Sequence, residues 1–225
     1  MFRNKPYLLF LCLFSCTDNA VEVLRQADYF PLSIGHYWIY EIDEIRYSEF
    51  NPPEVFHYEL KSEIVDSFIN GEGIETYVIY RSTRNSSLES WAYKQTWTAY
   101  STEQYSVENE ANVSFIKLLF PLVKNSAWNG NKLNSLGEEI YQVENIVDEY
   151  FVDGNTTFAK SVVINQNDEN SLLFSDERSE VYSFKIGLVY KESRVVEFNV
   201  INGVPTSQII GGYYWKQVLK EYVQS

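Results

Sequence analysis

From Tyr29 onward, apolar and polar residues alternate in the manner that predicts β-strands. Over residues 56–64, side chains that are aromatic or aliphatic, except for Ser62, alternate with His57, Glu59, Lys61 and Glu63, a period of two with one polar face. The same alternation over residues 181–186 predicts a second strand. Long stretches of this kind, with no convincing helical spacing before residue 215, indicate an all-β chain.

Three short segments predict hairpin turns between these strands. Residues 69–73 and 152–155 contain Asn-Gly and Asp-Gly, and Asn202-Gly203 follows later in the chain. Such pairs readily adopt the positive φ angles of tight turns. Near the C-terminus, Trp215, Val218, Leu219 and Tyr222 fit helical spacing, but the segment could equally be a final strand that closes the sheet. We favour the strand.

The chain also repeats a spacing between its two halves. Phe30-Pro31-Leu32 is followed by Trp38, and Phe120-Pro121-Leu122 is followed by Trp128 at the same interval. Residues 64–66 and 146–148 are both Ile-Val-Asp. We therefore predict a single β domain over residues 29–225, made of two tandem halves at about 29–118 and 119–225. Coincidence among aromatic-rich strands is the alternative.

Composition strengthens the all-β prediction. The chain has 18 Tyr, 14 Phe and 5 Trp but a single Met, and 45% of its residues are hydrophobic. Aromatic residues suit the half-buried face of a sheet and are poor helix formers. We expect an antiparallel curved sheet or barrel in which Trp38 and Trp128 are structural anchors, each burying a large apolar area.

The N-terminus predicts a lipid anchor. Arg3 and Lys5 precede a short apolar run over residues 7–14, and Ser15 then precedes Cys16. This order is typical of a bacterial lipoprotein signal. Residues 1–15 are predicted to be a signal-peptide helix that is removed, Cys16 to be lipidated, and residues 16–28 to hold this cysteine and a tether. An ordinary secretory signal and an uncleaved anchor are the alternatives.

The anchor and the charge together predict location and partners. Cleavage before Cys16 removes two basic residues and no acid, so the net charge falls from −13 to −15. That charge disfavours nucleic acid. We expect a protein of the cell envelope, held by the lipid on Cys16 to a bacterial membrane, the outer in preference to the inner. Its partner would be an envelope protein or a ligand that the sequence does not identify.

Several blocks of the chain resemble a known group of proteins. Tyr29-Phe-Pro-Leu32 with Gly35, Trp38 and Tyr40 is similar to the opening of uncharacterised lipoproteins common in Bacteroidota. Residues 116–121 with 128–131, and residues 187–192, resemble two further blocks of these proteins. The group has no assigned activity. The resemblance therefore implies an exported lipoprotein and transfers no functional residue.

Candidate chemistry is sparse, and we expect neither catalysis, nor a cofactor, nor a metal site. The chain has two histidines, His36 and His57, and lacks a Gly-x-Ser-x-Gly or His-Glu-x-x-His motif. With 31 acidic residues, a pair of catalytic carboxylates stays an open alternative.

The best candidate for ligand contact is the strand around Trp91. Trp91, Tyr93, Gln95 and Trp97 are spaced at period two and are expected to share one face, which could stack on a ligand or simply pack in the core.

These observations lead to one main functional hypothesis and two alternatives. The main one is a non-catalytic, lipid-anchored β protein that binds a ligand or acts as an accessory subunit. The first alternative is a carrier of lipids or other hydrophobic ligands with an apolar cavity. The second is a surface glycan-binding protein. An open apolar cavity would favour the carrier, and a filled core with an exposed tryptophan row would favour the glycan-binding protein.

Overall fold

A computed structural model describes residues 26–152 and 156–224, which form twelve β-strands and one short 3-10 helix, Gln26–Tyr29. The first six strands are β1 (Tyr37–Tyr47), β2 (Glu54–Ile69), β3 (Glu75–Arg84), β4 (Ala92–Ser101), β5 (Tyr105–Glu110) and β6 (Val113–Leu119). The second six are β7 (Ala127–Asn129), β8 (Ile140–Val152), β9 (Thr156–Asn170), β10 (Phe174–Ser183), β11 (Gly187–Ile201) and β12 (Val204–Val223).

All twelve strands belong to one antiparallel sheet. Its order is β6-β5-β4-β3-β2-β1-β12-β11-β10-β9-β8-β7, so β12 joins the two halves by pairing with β1. The edge strands β6 and β7 approach each other, because the Ile116 N–H donates to the Gly130 carbonyl at 2.9 Å and the Trp128 indole donates to the Ile116 carbonyl at 2.8 Å. The sheet is therefore a nearly closed barrel, and the all-β prediction is confirmed.

Strand direction alternates, so the turns form two rings that we call the proximal and distal ends. The proximal end contains the turns at 70–74, 102–104 and 184–186 and the 3-10 helix, whose Tyr29 ring packs on Phe184 at 5.5 Å. The distal end contains the connections at 48–53, 85–91, 111–112, 130–139, 171–173 and 202–203. The chain thus enters the described fold at the proximal end.

Two predicted anchors lie in the core. Trp38 and Trp128 are each 7% exposed and belong to two separate apolar clusters. The Trp38 indole donates to the carbonyl of Ile186 at 2.6 Å, so each ring is held by a hydrogen bond as well as by packing. Their energetic importance stays a prediction.

The structure settles several local predictions. Asn70 shapes the β2–β3 turn by accepting hydrogen bonds from the N–H groups of Glu72 and Ile74, and Asn202 and Gly203 form the β11–β12 turn with φ angles of 51° and 81°. Residues 215–222 lie within β12, as the strand interpretation predicted.

The predicted strand over residues 181–186 is wrong in its second half. Residues 184–186 form the β10–β11 turn, in which Lys185 has a φ of 64°, far from the extended region of a regular strand.

Part of the N-terminal prediction lies outside the described residues. The predicted signal peptide at 1–15, Cys16 and the tether up to residue 25 all lie there. The predicted turn at Gly154 also lies outside the described residues. Between residues 26 and 152 and between 156 and 224, no helix has the length and apolar character needed to cross a membrane.

Matching local features recur in the two halves. Gly35 and Asn125, which hold the same place relative to the repeated Phe-Pro-Leu, have φ angles of 92° and 70°. Their N–H groups donate to the carbonyls of Ile64 and Val143, and a β-bulge follows each of these two residues. When the two halves are aligned by these features, Ile64 corresponds to Val143 and not, as the sequence suggested, to Ile146. The duplication stays a prediction, which these features favour.

Candidate functional site

A cavity of about 380 Å³ lies inside the barrel, and we call it the interior cavity. Strands β3–β6 and β8–β12 all contribute side chains to its wall. Glu110 at the end of β5, Phe115 near the start of β6 and Gln95 near the start of β4 place it in the distal half. Tyr213, another wall residue, is 40% exposed, so the cavity reaches solvent there. Its volume falls within the range of small-molecule sites.

A buried ion-pair network crosses this cavity. Lys117 of β6 contacts Glu180 of β10 at 2.6 Å and Glu110 of β5 at 3.3 Å, and Lys191 of β11 contacts Glu180 at 3.0 Å. The Tyr182 hydroxyl donates to the second oxygen of Glu180 at 2.7 Å. With side-chain exposures of 3% for Lys117 and 0% for Glu180, this pair has no bulk water to stabilise either charge.

The network keeps its own groups charged. Burial alone would raise the pKa of Glu180, but Lys117 and Lys191 outweigh it and hold that pKa well below its usual range. Burial likewise would raise the pKa of Glu110, and the same two lysines lower it. Burial favours the neutral form of Lys117, yet Glu180, Glu110 and Glu108 raise its pKa well above the ordinary value.

Glu108 behaves differently from its neighbours. Burial, followed by repulsion from Glu110, raises its pKa from 4.5 to about 7, although Lys117 and Arg81 act in the opposite direction. No basic side chain among residues 26–152 and 156–224 lies within 4.0 Å of the Glu108 carboxyl. Glu108 therefore changes charge near neutral pH inside the cavity.

Five buried nitrogen atoms of the cavity wall have no hydrogen-bond acceptor among the described residues. They are the Arg81 Nε, the Trp97 and Trp215 indole nitrogens, and the amide nitrogens of Gln166 and Gln217. Native proteins pair more than about 90% of buried polar groups. Unpaired buried donors are therefore uncommon, and these five lie around a single cavity.

Arg81 is the cation of the wall that lacks a counter-ion. It is 8% exposed, its guanidinium carbon lies 3.8 Å from the centre of the Trp97 ring, and no carboxylate of the described residues is within 4.0 Å of it. By contrast, Arg178 pairs with Asp176 at 2.6 Å and with Glu139, and Arg84, three residues along β3, pairs with Glu59 at 2.5 Å.

A second depression adjoins the interior cavity at Arg81. Its volume is about 450 Å³, and Arg81, Gln95 and Trp215 belong to the walls of both. Glu44 and Tyr58 line its other side, where the Tyr58 hydroxyl donates to Glu44 at 3.0 Å. Arg81 can thus be reached from two sides.

The candidate row around Trp91 does not share one face. Gln95 and Trp97 line the interior cavity, but Tyr93 is 59% exposed and packs on Tyr80 outside the barrel. A β-bulge in the β3–β4 ladder, between the pairs Arg81–Gln95 and Ser82–Tyr93, shifts the side-chain phase. Trp91 precedes β4, where its ring carries the Arg84 guanidinium at 4.2 Å. Ligand contact by Trp91, Tyr93 and Trp97 stays a prediction.

The charged wall was missed at the level of sequence, although one signal was present. Lys117 interrupts an apolar run, and both of its neighbours, Ile116 and Leu118, are buried. A continuous apolar run indicates a strand that is buried on both faces, so a lysine within it is expected to be buried and to need acids from distant strands. Glu180 is 63 positions away, so only the folded structure identifies it as the partner.

The histidines lie outside this site. His57 contacts Asp43 at 2.8 Å on the surface, and His36 is buried with its ring 6.2 Å from the Trp38 ring. Across the part of the chain that the structure describes, no three His, Cys, Asp or Glu side chains form an arrangement that could hold a metal ion.

An apolar cavity beside the charged one is small. Phe30, Leu32 and Trp38 line a space of about 50 Å³, and Arg81 and Gln217 separate it from the interior cavity. An acyl chain of ten or more CH₂ groups needs far more room, since a single water already needs about 10–15 Å³ of such space. The geometry therefore does not favour the hydrophobic-ligand carrier.

Comparison with known proteins finds distant structural matches and no family. No family model matches the chain, and no curated protein matches it. A crystal structure from Parabacteroides distasonis, provisionally described as a lipoprotein, shows 12% identity and a TM-score of 0.45, covering 87% of this chain and 98% of its own. An exported protein with a YmcC-like fold from Bacteroides fragilis, also provisionally described, gives the same values. At this distance nothing further is transferred from either protein, and the resemblance to Bacteroidota lipoproteins stays a prediction.

Proposed function

We propose that this chain is a non-catalytic binding protein of the bacterial cell envelope, anchored through lipid on Cys16, which holds a small polar ligand in its interior cavity. The observation that carries this proposal is a cavity of about 380 Å³ whose wall contains Arg81, a buried cation with no carboxylate of the described residues within 4.0 Å. A buried cation without a counter-ion is costly, so this wall favours an occupant that supplies acceptors.

The composition of the wall supports binding rather than turnover. Its single hydroxyl nucleophile other than the tyrosines is Ser193, and no histidine lies in the wall. The carboxylates of Glu110 and Glu180 are engaged with lysines, so neither is available as a general base. Glu108 has a pKa of about 7, which suits a general base, but no histidine and no unpaired second carboxyl lies beside it among the described residues of this wall. The wall instead presents donors at fixed positions, as binding sites do.

The position of the cavity supports an anchored role. The first described residue, Gln26, lies at the proximal end, where its side-chain oxygen accepts a hydrogen bond from the Leu122 N–H at 2.5 Å. The predicted tether therefore meets the fold opposite the distal half that contains the interior cavity. A lipid on Cys16 would leave the cavity mouth facing away from the membrane.

The proposal is tested by filling the cavity. Ser193 of β11 is 3% exposed and lines the wall, so a Ser193→Phe side chain would occupy ligand space. Ser135, in the exposed loop between β7 and β8, offers the matched control Ser135→Phe. The full chain is purified in mild detergent from the cells that make it and examined by native mass spectrometry, with circular dichroism to check folding.

We expect a small molecule bound to the wild-type chain and to Ser135→Phe, and absent from Ser193→Phe. Equal retention by Ser193→Phe would show that the ligand binds elsewhere. The absence of any bound molecule in all three proteins, with no ligand recovered after incubation with a cell extract, would refute a binding role for the cavity.

A further inference from the structure

We propose that the interior cavity is a site for a small anion carrying a carboxylate or phosphate group, held by the Arg81 guanidinium. This inference rests on the proposed function, because it names the class of ligand that the same cavity takes.

The charges of the wall leave one cation without a partner. Lys117 and Lys191 are matched by Glu110 and Glu180, and the oxygens of Glu180 are already engaged by both lysines and the Tyr182 hydroxyl. Arg178 is matched by Asp176 and Glu139. Arg81 alone among the wall cations has no carboxylate within 4.0 Å in residues 26–152 and 156–224.

The N–H groups of Arg81 suit an anion that presents two oxygens side by side, such as a carboxylate or a phosphate. A guanidinium presents paired N–H groups that match carboxylate and phosphate bidentately. The indole nitrogens of Trp97 and Trp215 are buried and not open to the cavity, so Arg81 carries the contact with the anion. The Arg81 guanidinium carbon lies 3.8 Å from the centre of the Trp97 ring, and this contact holds the guanidinium in place before a ligand arrives.

Glu108 gives the site a dependence on pH. Burial and Glu110 raise its pKa to about 7, so it is mostly neutral at pH 6 and mostly ionised at pH 8. The charged groups that act on it are Arg81 of β3, Glu110 of β5, Lys117 of β6 and Glu180 of β10, and the Tyr40 and Tyr182 hydroxyls also lie within its field. An ionised Glu108 repels a bound anion, so anion affinity falls as the pH rises through 7.

The test uses the full chain in detergent, dialysed free of ligand, with three probes: fumarate, inorganic phosphate and glucose. Binding is followed by tryptophan fluorescence, to which Trp97 and Trp215 contribute, and by the shift in melting temperature. The pH comparison uses fumarate, because both of its carboxylates stay ionised at pH 6 and pH 8. Arg81→Gln is the test variant, and Arg84→Gln on the same strand is its matched control.

We expect saturable binding of fumarate, phosphate or both, weakened about tenfold or more by Arg81→Gln and unchanged by Arg84→Gln. Arg81→Lys keeps the charge but loses the paired N–H groups of the guanidinium, so it should bind the anion with intermediate affinity. It replaces Arg81→Gln as the test variant if that variant does not fold. Fumarate should bind more weakly at pH 8 than at pH 6, and Glu108→Gln should abolish that difference. Preference for one anion identifies the ligand as a carboxylate or a phosphate.

Three results would overturn the inference. Glucose binding without anion binding would leave a polar-ligand cavity but no anion site. Anion binding that survives Arg81→Gln unchanged would place the anion elsewhere. No binding of either anion at millimolar concentration would also refute the anion site, while the cavity-filling experiment decides the proposed function separately.

Discussion

Replacing Glu108 with Gln should stabilise the protein at pH 8 and leave its stability nearly unchanged at pH 4.5. Glu108 is the cavity carboxyl whose pKa is raised from 4.5 to about 7 by burial and by Glu110. Between these two values the unfolded chain loses the proton while the folded chain keeps it. The stability contributed by the neutral carboxyl is therefore lost progressively as the pH rises through this window.

The magnitude follows from the pKa values. A tenfold change in proton affinity corresponds to about 1.4 kcal/mol, so a pKa raised from 4.5 to about 7 makes the ionised form of Glu108 unfavourable in the fold by about 3 kcal/mol. Gln is nearly isosteric with the protonated acid and does not titrate. Its advantage over Glu should be near zero at pH 4.5, partial at pH 6 and up to about 3 kcal/mol above pH 7.

Urea unfolding followed by tryptophan fluorescence measures this difference at each pH and constant salt. Glu138→Gln is the control, because Glu138 is an exposed carboxylate in the loop between β7 and β8. The control variant should track the wild type at every pH. A Glu108→Gln variant that is equally or less stable than the wild type at pH 8 would show that Glu108 is not a buried, unpaired carboxyl.

The remaining predictions concern the anchors, the ion-pair network and the lipid. Replacing Trp38 or Trp128 with Ala should lower the free energy of unfolding by about 3–5 kcal/mol, because each is 7% exposed in an apolar cluster. His57→Ala at the surface should lower it by much less, as measured by thermal or urea unfolding. Equal losses would contradict the anchor role. Lys117→Met should lower the free energy of unfolding at pH 7 by about 3–5 kcal/mol, because Glu180 then keeps Lys191 but loses its contact with Lys117. The double variant with Glu180→Gln should recover much of this stability. No recovery would mean that the single variant is destabilised by altered packing. Cys16→Ser should remove palmitate labelling and release the chain from membranes, and a variant that is still cleaved and membrane-bound would contradict lipidation.

The fold was more predictable from the sequence than the site. Period-two alternation and Asn-Gly pairs depend on neighbouring residues, so they predicted strands, the turns at 69–73 and 202–203, and the strand at 215–222 correctly. The error at residues 184–186 arose because an alternating pattern continues through a turn whose positive φ angles fall on Lys185 and Gly187. Alternation alone does not reveal such angles at a lysine.

The charged cavity could not be read from the chain because it depends on register. A bulge after Arg81 turns Gln95 and Trp97 inward and Tyr93 outward, which reverses the shared face expected from spacing. The pairing of Lys117 with Glu180 requires knowing that β6 and β10 face each other across the barrel. Both facts belong to long-range geometry.

The central claim is that the interior cavity holds an anion at Arg81. A high-resolution diffraction structure of the full chain tests this claim most directly. Crystals would be grown from protein as it leaves the cell, in buffers without carboxylate, phosphate or sulfate. We predict electron density larger than water against the Arg81 guanidinium, within hydrogen-bond distance of its nitrogen atoms. A cavity containing water alone, with the Glu108 carboxylate rotated onto Arg81, would contradict the account.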